Sequence, residues 1–335
     1  MMEKKPVRIL YPIIIGILLF IGVLVLITVL SPRPVTFLPH IAPDNAGLQS
    51  PPVLVTHTFP FQDTNVTISV PVNYSVYSGA KKNDRTAIVI GDGSDLSAKM
   101  FRSMVSDPSQ ETLFNDLLMQ FRVIKAERNL SDDEYLELMT VFTQSLPYSV
   151  VPGTPAKFPV ETVMDKTGDC DDKSLLLAGL LSREGYPVVL FLFGPEKHMA
   201  VGVGSDSFLY KSTGYSYVEA TTYSFVGVPA YYLKENSTLK SDPLIIPIKT
   251  GTKRYRSGDA TSHIDNMSAL SGRRAAELSR TLRQKPVNVG ENRTEYVSVF
   301  HQLDHYSEIH NYILAHKHDR PGVYEYLQRE MAGES

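Results

Sequence analysis

Stretches of different hydrophobic pattern follow one another along this 335-residue chain, and the first is an almost unbroken apolar run over residues 9–30. At about 1.5 Å per residue, this run spans the roughly 30 Å hydrocarbon core of a membrane. Three basic residues precede it and only Arg33 closely follows, so the positive-inside rule leaves residues 1–8 in the cytoplasm. A cleaved signal peptide, the alternative, has an apolar stretch of only roughly 7–15 residues. The pattern predicts a single-pass signal anchor in the cell membrane, with the bulk of the chain extracytoplasmic.

Beyond the anchor, the pattern divides the chain into four regions. Residues 31–52 hold six prolines and predict an extended stalk. Residues 53–105 predict a β-rich region, because residues 53–76 alternate apolar and polar positions and a further short apolar stretch follows at 87–90. Residues 106–249 show helical patterns followed by strand patterns, an order typical of an α+β domain with an antiparallel sheet. Residues 250–335 are polar and predict a helical C-terminal region, with helices over about 264–284, 293–316 and 321–332.

Capping signals locate the helices of the α+β domain. One helix is expected over about 110–127, and the capping box Ser131-x-x-Glu134 begins a second that ends near residue 145. A third begins at Cys170 and ends before a Gly-Tyr-Pro sequence at 185–187. Strands are then expected over 188–193, 198–203, 208–211 and 215–221, joined by turns that contain Gly and Ser.

Cys170 is the only cysteine, and it stands in the first turn of the third predicted helix. Asp169 is the expected N-cap and Asp172 occupies the capping-box position. Unpaired backbone N–H groups and the positive end of the helix dipole favour a thiolate there, which is the nucleophilic form of cysteine. The alternative is a buried cysteine that acts as a small apolar side chain, next to acidic residues that oppose a thiolate.

Two further residues give Cys170 a chemical context. His198 begins one predicted strand and Glu219 lies in another. Cysteine, histidine and carboxylate, in this order, can serve as a nucleophile, its base and the group that orients the base. The sequence therefore predicts a catalytic set of Cys170, His198 and Glu219.

Residues 140–225 resemble the transglutaminase-like superfamily of cysteine peptidases, amidases and protein-crosslinking enzymes, and membrane-anchored archaeal proteins carry similar combinations. The similarity lies in the segments 142–148, 158–163, 168–174, 180–187, 198–203 and 217–221. It implies a transglutaminase-like or papain-like core, in which a helix that begins at the cysteine packs on an antiparallel sheet. It also implies Cys170 as nucleophile, His198 as base and then acid, and Glu219 as its orienting partner. The chain has Glu219 where the family usually has an aspartate.

The resemblance implies acyl transfer through a thioester, and this reaction needs donors for an oxyanion. The backbone N–H of Cys170 is one such donor by position. Gln144 and Tyr148 are candidates for a second oxyanion donor. The alternative is that both are structural, Gln144 as a residue of a helix surface and Tyr148 as a residue of the core. The expected function is a membrane-tethered cysteine hydrolase or acyltransferase acting on peptide or isopeptide bonds of a substrate near the cell envelope. The alternative is a non-catalytic binding or scaffolding module of the envelope with the same fold.

Sequons agree with export of the chain. Six Asn-x-Ser/Thr sequences occur, all beyond the apolar run and more than chance predicts, at Asn65, Asn73, Asn129, Asn236, Asn266 and Asn292. A chain with one cysteine cannot form an intramolecular disulfide, so the exported part is expected to be stable through its core.

Charge and histidine patterns predict no cofactor, no metal and no nucleic-acid partner. The formal net charge is −3, and basic residues are scattered among acidic ones. A mildly basic stretch over 253–283 is read as a solvated helix, with binding to anionic lipids or an acidic polymer as the alternative. His301 and His305 share a helix face at a spacing that can chelate zinc or nickel, but a solvated face is the preferred interpretation.

Overall fold

The structure, a computed structural model, describes residues 16–17, 20–22, 35–45, 50–85, 88–90, 95–230, 238–284 and 293–333. In these ranges the strands are β1 Val35–Phe37, β2 Val53–Phe61, β3 Thr64–Val72, β4 Ile88–Ile90, β5 Val188–Phe193, β6 His198–Gly204, β7 Tyr215–Val218 and β8 Leu244–Lys249. The α-helices are α1 Tyr74–Lys82, α2 Leu96–Val105, α3 Glu111–Glu127, α4 Asp132–Ser145, α5 Pro159–Asp165, α6 Cys170–Arg183, α7 Gly258–Gln284, α8 Arg293–Ala315 and α9 Arg320–Gly333.

A four-stranded antiparallel sheet carries the candidate site. Its strand order is β7-β6-β5-β8, and its register pairs Phe193 with His198 and Val201 with Val218. Helix α6 packs on one face of this sheet. The α+β class with an antiparallel sheet is therefore confirmed.

Helix α6 is enclosed by the rest of the domain. Its core positions are completely buried, at Leu175, Leu176, Leu177, Leu180 and Leu181. Neighbours include α2, α4 and α5 as well as β5 and β6. An apolar surface on all sides is typical of a helix at the centre of a domain rather than on its surface. The predicted boundaries of α6 and of β5 are confirmed to within one residue.

The region 53–105 shares the core of the α+β domain and also contains helices. The β2–β3 hairpin packs against α3 and α4, while Asn73 caps α1. Part of the predicted stalk also lies against this domain, which corrects the stalk prediction for residues 39–45. Ile41 is fully buried, and its backbone N–H donates to Asp107 Oδ2 at 2.7 Å. Burial of the Ile41 side chain stabilises the folded domain, so this segment is part of the domain and not a spacer.

The C-terminal helices α7, α8 and α9 confirm the predicted helical region and have an apolar cluster of their own. A buried polar contact joins them to α4. The Glu137 carboxylate accepts from Tyr255 Oη at 2.7 Å and from Arg320 Nε at 2.5 Å. Because Glu137 and Tyr255 are buried, removing one partner of this contact would leave an unpaired polar group between the helical region and the α+β domain.

In the α+β domain, one predicted strand is absent and one observed strand was not predicted. Residues 208–211 form turns instead of a strand, because Phe208 and Lys211 both adopt positive φ angles of 52° and 49°. Strand β8 was missed because it contains Pro247, which weakens a strand pattern. Proline is tolerated there because β8 is an edge strand with a shift of register opposite Val188 and Val189.

The predicted anchor and sequons are only partly within the described residues. Residues 9–30 lie outside them except for 16–17 and 20–22, which are helical and exposed. No helix of the described part is long and apolar enough to cross a membrane. Asn236 and Asn292 also lie outside the described residues. The other sequon asparagines are all exposed, at Asn65, Asn73, Asn129 and Asn266.

We predict that Gly179→Ala lowers the free energy of unfolding, although alanine is the better helix former. A Cβ at this position would lie 2.3 Å from Cζ of the Phe114 ring, whose other contacts include the Arg183 guanidinium at 3.8 Å from the ring centre. Overpacking costs about 1–3 kcal/mol, against a gain in helix propensity of up to about 1 kcal/mol. Urea unfolding measures the difference.

Phe114→Leu, which makes room for the new methyl group, provides the matched test. In a double-mutant cycle, the two substitutions together should cost less than the sum of their separate effects. Strict additivity would show that the Phe114 ring does not restrict position 179.

Candidate functional site

The cap of α6 positions Cys170. Asp169 Oδ1 accepts from the backbone N–H groups of Asp171 at 3.0 Å and Asp172 at 3.2 Å, and Asp172 Oδ2 accepts from Asp169 N at 3.1 Å. The predicted capping box is therefore confirmed. It satisfies the first N–H groups of the helix and holds Cys170 as the first helical residue, directly at the end of the sheet.

The Cys170 thiol faces the first residues of β6. Its Sγ lies 3.4 Å from Asp171 Oδ1 and 3.9 Å from the Lys197 carbonyl oxygen. One turn further along α6, Ser174 Oγ donates to the Met199 carbonyl at 3.1 Å and connects the helix to the strand. The nucleophile candidate is thus packed against the backbone on both sides of His198.

The environment raises the thiol pKa, which is the opposite of what the helix dipole alone predicts. Burial of Cys170 is the main cause, and the neighbouring Asp171 carboxylate adds to it. The Met199 backbone N–H acts in the other direction but is outweighed. Cys170 therefore carries a neutral thiol that donates a hydrogen bond to Asp171.

The sheet register brings His198 and Glu219 together. Val201 of β6 pairs with Val218 of β7, and His198 lies three residues before Val201 while Glu219 lies one residue after Val218. Because both displacements are odd, the two side chains lie on the same face of the sheet. His198 Nε2 is 3.1 Å from Glu219 Oε2. Tyr217, two residues before Glu219, has its hydroxyl 3.1 Å from the same Nε2 and donates to Oε2 at 2.7 Å.

Glu219 is an ionised carboxylate in a buried position. Burial by itself raises its pKa, but hydrogen bonds from His198, Thr221 and Tyr217 outweigh this and lower the pKa to about 2. Its second oxygen, Oε1, accepts from Thr221 N at 2.8 Å and from Thr221 Oγ1 at 2.5 Å. Each carboxylate oxygen therefore has two donors, which is the condition for a stable buried charge.

The ionised Glu219 determines the tautomer of His198. A carboxylate only accepts hydrogen bonds, so the proton of the neutral imidazole resides on Nε2. Nδ1 is then the basic nitrogen, and no described residue hydrogen-bonds it. Nor does any hydrogen bond join Cys170 Sγ to the His198 ring among the residues with described side chains. His198 and Glu219 are therefore in contact with each other, while the Cys170 thiol donates to Asp171.

The two candidates for a second oxyanion donor differ in their surroundings. Gln144 Nε2 donates to the carbonyls of Glu219 and Ser224, both at 2.9 Å, so neither amide hydrogen is available in this conformation. Tyr148 is half-buried and bridges to Gly168, two residues before Cys170. Burial raises the pKa of its phenol, and the nearby Asp169 and Asp171 carboxylates add to this, which keeps the hydroxyl protonated.

Three residues of the site were missed at the level of sequence, namely Tyr217, Thr221 and Lys173. The alternation of β7 could have indicated Tyr217, because residues two apart on a strand share a face. Lys173 Nζ is fully buried and donates to the carbonyls of Gln144, Leu146 and Thr221 at 3.1, 2.7 and 3.0 Å. Burial lowers the pKa of its ammonium group to about 8, although the charge of Glu219 opposes this.

Comparison of this chain with protein-family models, with curated proteins and with solved structures gave no match. The functional evidence is therefore the arrangement of the side chains themselves.

In the described ranges, no group of three or more His, Cys, Asp or Glu residues could hold a metal ion. His305, a residue of the predicted chelating pair, has its Nδ1 3.8 Å from Glu330 Oε2 on α9.

We predict that Glu219→Gln reduces the loss of stability in acid. The folded pKa of about 2 lies below the ordinary value of 4.5, so Glu219 stabilises the fold above about pH 4.5, and this contribution is lost as the pH falls towards 2. It amounts to at most roughly 3 kcal/mol. Denaturant unfolding from pH 7 to pH 2 should show a shallower decline for the variant.

The control for Glu219→Gln is Asp63→Asn, which removes an exposed carboxylate in the β2–β3 turn. It should keep the wild-type dependence of unfolding free energy on pH. Parallel curves for wild type and Glu219→Gln would contradict the assignment of a buried, ionised Glu219.

We predict that Lys173→Met is strongly destabilising although methionine fits the apolar surroundings. Three buried carbonyl oxygens lose their common donor, and each unsatisfied group costs about 1–3 kcal/mol. Thermal unfolding should show a large loss for this variant. Lys249→Met, at an exposed lysine of β8, is the control and should leave the midpoint nearly unchanged. Equal effects of the two substitutions would exclude the carbonyl contacts as a significant source of stability.

Proposed function

We propose that this chain is an acyl-transfer enzyme of the transglutaminase-like type, with Cys170 as the nucleophile. The contact of His198 Nε2 with the ionised Glu219 is the observation that carries the proposal. It keeps one ring nitrogen protonated and leaves the other basic, beside a strand end that the thiol already touches. A buried histidine oriented in this way is the arrangement that a thiol nucleophile requires of its base.

The first half of the proposed reaction forms a thioester. The Cys170 thiol turns from Asp171 towards His198 Nδ1 and transfers its proton there as sulfur attacks the carbonyl carbon of an amide. The carbonyl electron pair moves to oxygen, and the Cys170 backbone N–H and the Tyr148 hydroxyl donate to this oxyanion. When the oxyanion collapses, the C–N bond breaks and the protonated His198 gives its proton to the leaving amine.

The second half releases the acyl group and restores the thiol. His198 Nδ1 accepts a proton from water as the water oxygen attacks the thioester. The C–S bond then breaks, and the proton returns from His198 to sulfur. An amine in place of water gives transfer instead of hydrolysis. We favour hydrolysis of peptide or isopeptide bonds, because the simple members of the family that the chain resembles are mostly peptidases.

The proposed location is the outer face of the cell membrane. The apolar run over 9–30, the basic residues before it and the exposed sequon asparagines support a tethered, outward-facing enzyme. An N-linked glycan on Asn73 is compatible with the fold, because the helix cap uses Oδ1 and leaves the amide nitrogen for attachment. Protein substrates near the envelope are the expected partners.

A non-catalytic binding or scaffolding module is the second candidate. The observation in its favour is the state of the thiol, which is buried, has a raised pKa and is hydrogen-bonded to Asp171 rather than to the His198 ring. A module of this kind would keep the fold of the site without turning over any amide. The two candidates therefore differ in one measurable property, turnover that depends on Cys170.

We predict that Cys170→Ala and His198→Ala each reduce hydrolysis of a fluorogenic peptide pool by at least about a thousandfold, because each removes an essential proton-transfer or bond-forming group. Cys170→Ser keeps the shape of the side chain and should be similarly inactive. Asp63→Asn should retain wild-type rates. Circular dichroism and unfolding midpoints establish that the variants are folded. Turnover that is unchanged by Cys170→Ala would exclude this enzyme mechanism.

A further inference from the structure

Asp171 stands out among the acidic residues at the start of α6 because it has no structural task. The carboxylates of Asp169 and Asp172 both accept hydrogen bonds from backbone N–H groups. Asp172, for example, accepts from Lys157 N at 2.6 Å. Asp171 is half-buried, and its carboxylate makes one described hydrogen bond, with the Cys170 thiol. The nucleophile candidate therefore shares its proton with a carboxylate that the fold itself does not need.

No cation of the described chain pairs with Asp171. The salt bridges of the described lysines and arginines all involve other carboxylates. Lys173 lies on the same helix, but its ammonium group is bound by three backbone carbonyls. Lys197 precedes His198 and is exposed, and it makes no ion pair with Asp171. The carboxylate is consequently open to a cation from outside the chain.

The other groups around Asp171 make the site negative. Burial raises the pKa of the Asp171 carboxyl, and the neighbouring Asp169 carboxylate raises it further. The nearby His198 on β6 lowers this pKa. Burial raises the pKa of the Tyr148 phenol, on the segment after α4, and the charges of Asp169, Asp171 and Glu219 add to this. An oxyanion that forms here experiences repulsion from these carboxylates unless a positive charge compensates it.

We propose that Asp171 selects acyl donors with a basic side chain, Lys or Arg, next to the scissile bond. The inference rests on the acyl-transfer function proposed above and specifies its substrate class. A cation bound to the Asp171 carboxylate takes the acceptor away from the thiol, so that the thiol proton can move to His198 Nδ1. Substrate binding and activation of the nucleophile are thereby coupled through one residue, which acts as a specificity-determining residue.

The single cysteine allows a test that does not depend on turnover. Cationic, neutral and anionic alkyl methanethiosulfonates of similar size react with Cys170 of the full chain, and mass spectrometry gives the three rates. All three report the same thiolate fraction, so their ratios measure the local charge. We expect the cationic reagent to react faster than the anionic one, with a ratio that falls by about tenfold in Asp171→Asn.

Asp171→Asn should also raise the rate of the neutral reagent, because the carboxylate no longer holds the thiol proton. Asp63→Asn removes the same charge at a distant surface position and should change neither the ratio nor the neutral rate. A ratio that is equal in wild type and Asp171→Asn overturns the proposal. The proposal is also overturned if the cationic reagent reacts faster than the anionic one in Lys197→Ala but not in the wild type. That result would mean that Lys197 of the chain itself binds the Asp171 carboxylate.

Peptide pairs separate this inference from the proposed function. Two fluorogenic peptides differ only in lysine or acetyl-lysine before the scissile bond, and the wild type should favour the lysine peptide in kcat/KM by about tenfold. Asp171→Asn should remove this preference, and a preference that survives the substitution overturns the inference. If neither peptide is cleaved while the labelling ratios follow the expected pattern, acyl transfer fails and the cation site at Asp171 stands.

Discussion

A buried negative charge at the end of β7 determines the arrangement around it. Glu219 remains ionised in the interior only because His198, Tyr217 and Thr221 supply a donor to every side of its carboxylate. The same hydrogen bonds orient the His198 ring and assign its proton to Nε2. Stability and proposed catalysis therefore rely on the same contacts, and the tautomer of His198 follows from the need to satisfy a buried charge.

The nucleophile candidate is under a different constraint. The cap at the start of α6 supplies a favourable dipole, yet burial and Asp171 together raise the pKa of the thiol. A neutral thiol is less reactive towards oxidants and alkylating agents, which protects the single cysteine of the chain. In the proposed mechanism, activation of the thiol coincides with substrate binding, and the contact of Asp171 with the thiol provides a physical route for it.

Polar contacts connect distant parts of the chain to the site. Lys173 joins the end of α4 to the segment after Glu219 through three carbonyls, and Gln144 contacts the same segment through its amide. On the other side of α4, Glu137 binds Tyr255 and Arg320 and so connects the C-terminal helices. Helix α4 thus contacts both the C-terminal helical region and the segment that follows β7.

The local sequence was sufficient for the elements whose signals are short-range. The capping boxes at Ser131 and Asp169, the limits of α6 and β5, and the α+β class follow from neighbouring residues and hydrophobic period. The order Cys170, His198, Glu219 also predicted the contact of base and carboxylate. Tertiary structure alone decided the thiol pKa, the use of the Gln144 amide, the carbonyl contacts of Lys173 and the turn at 208–211. These depend on burial and on partners far away in sequence, which no local pattern encodes.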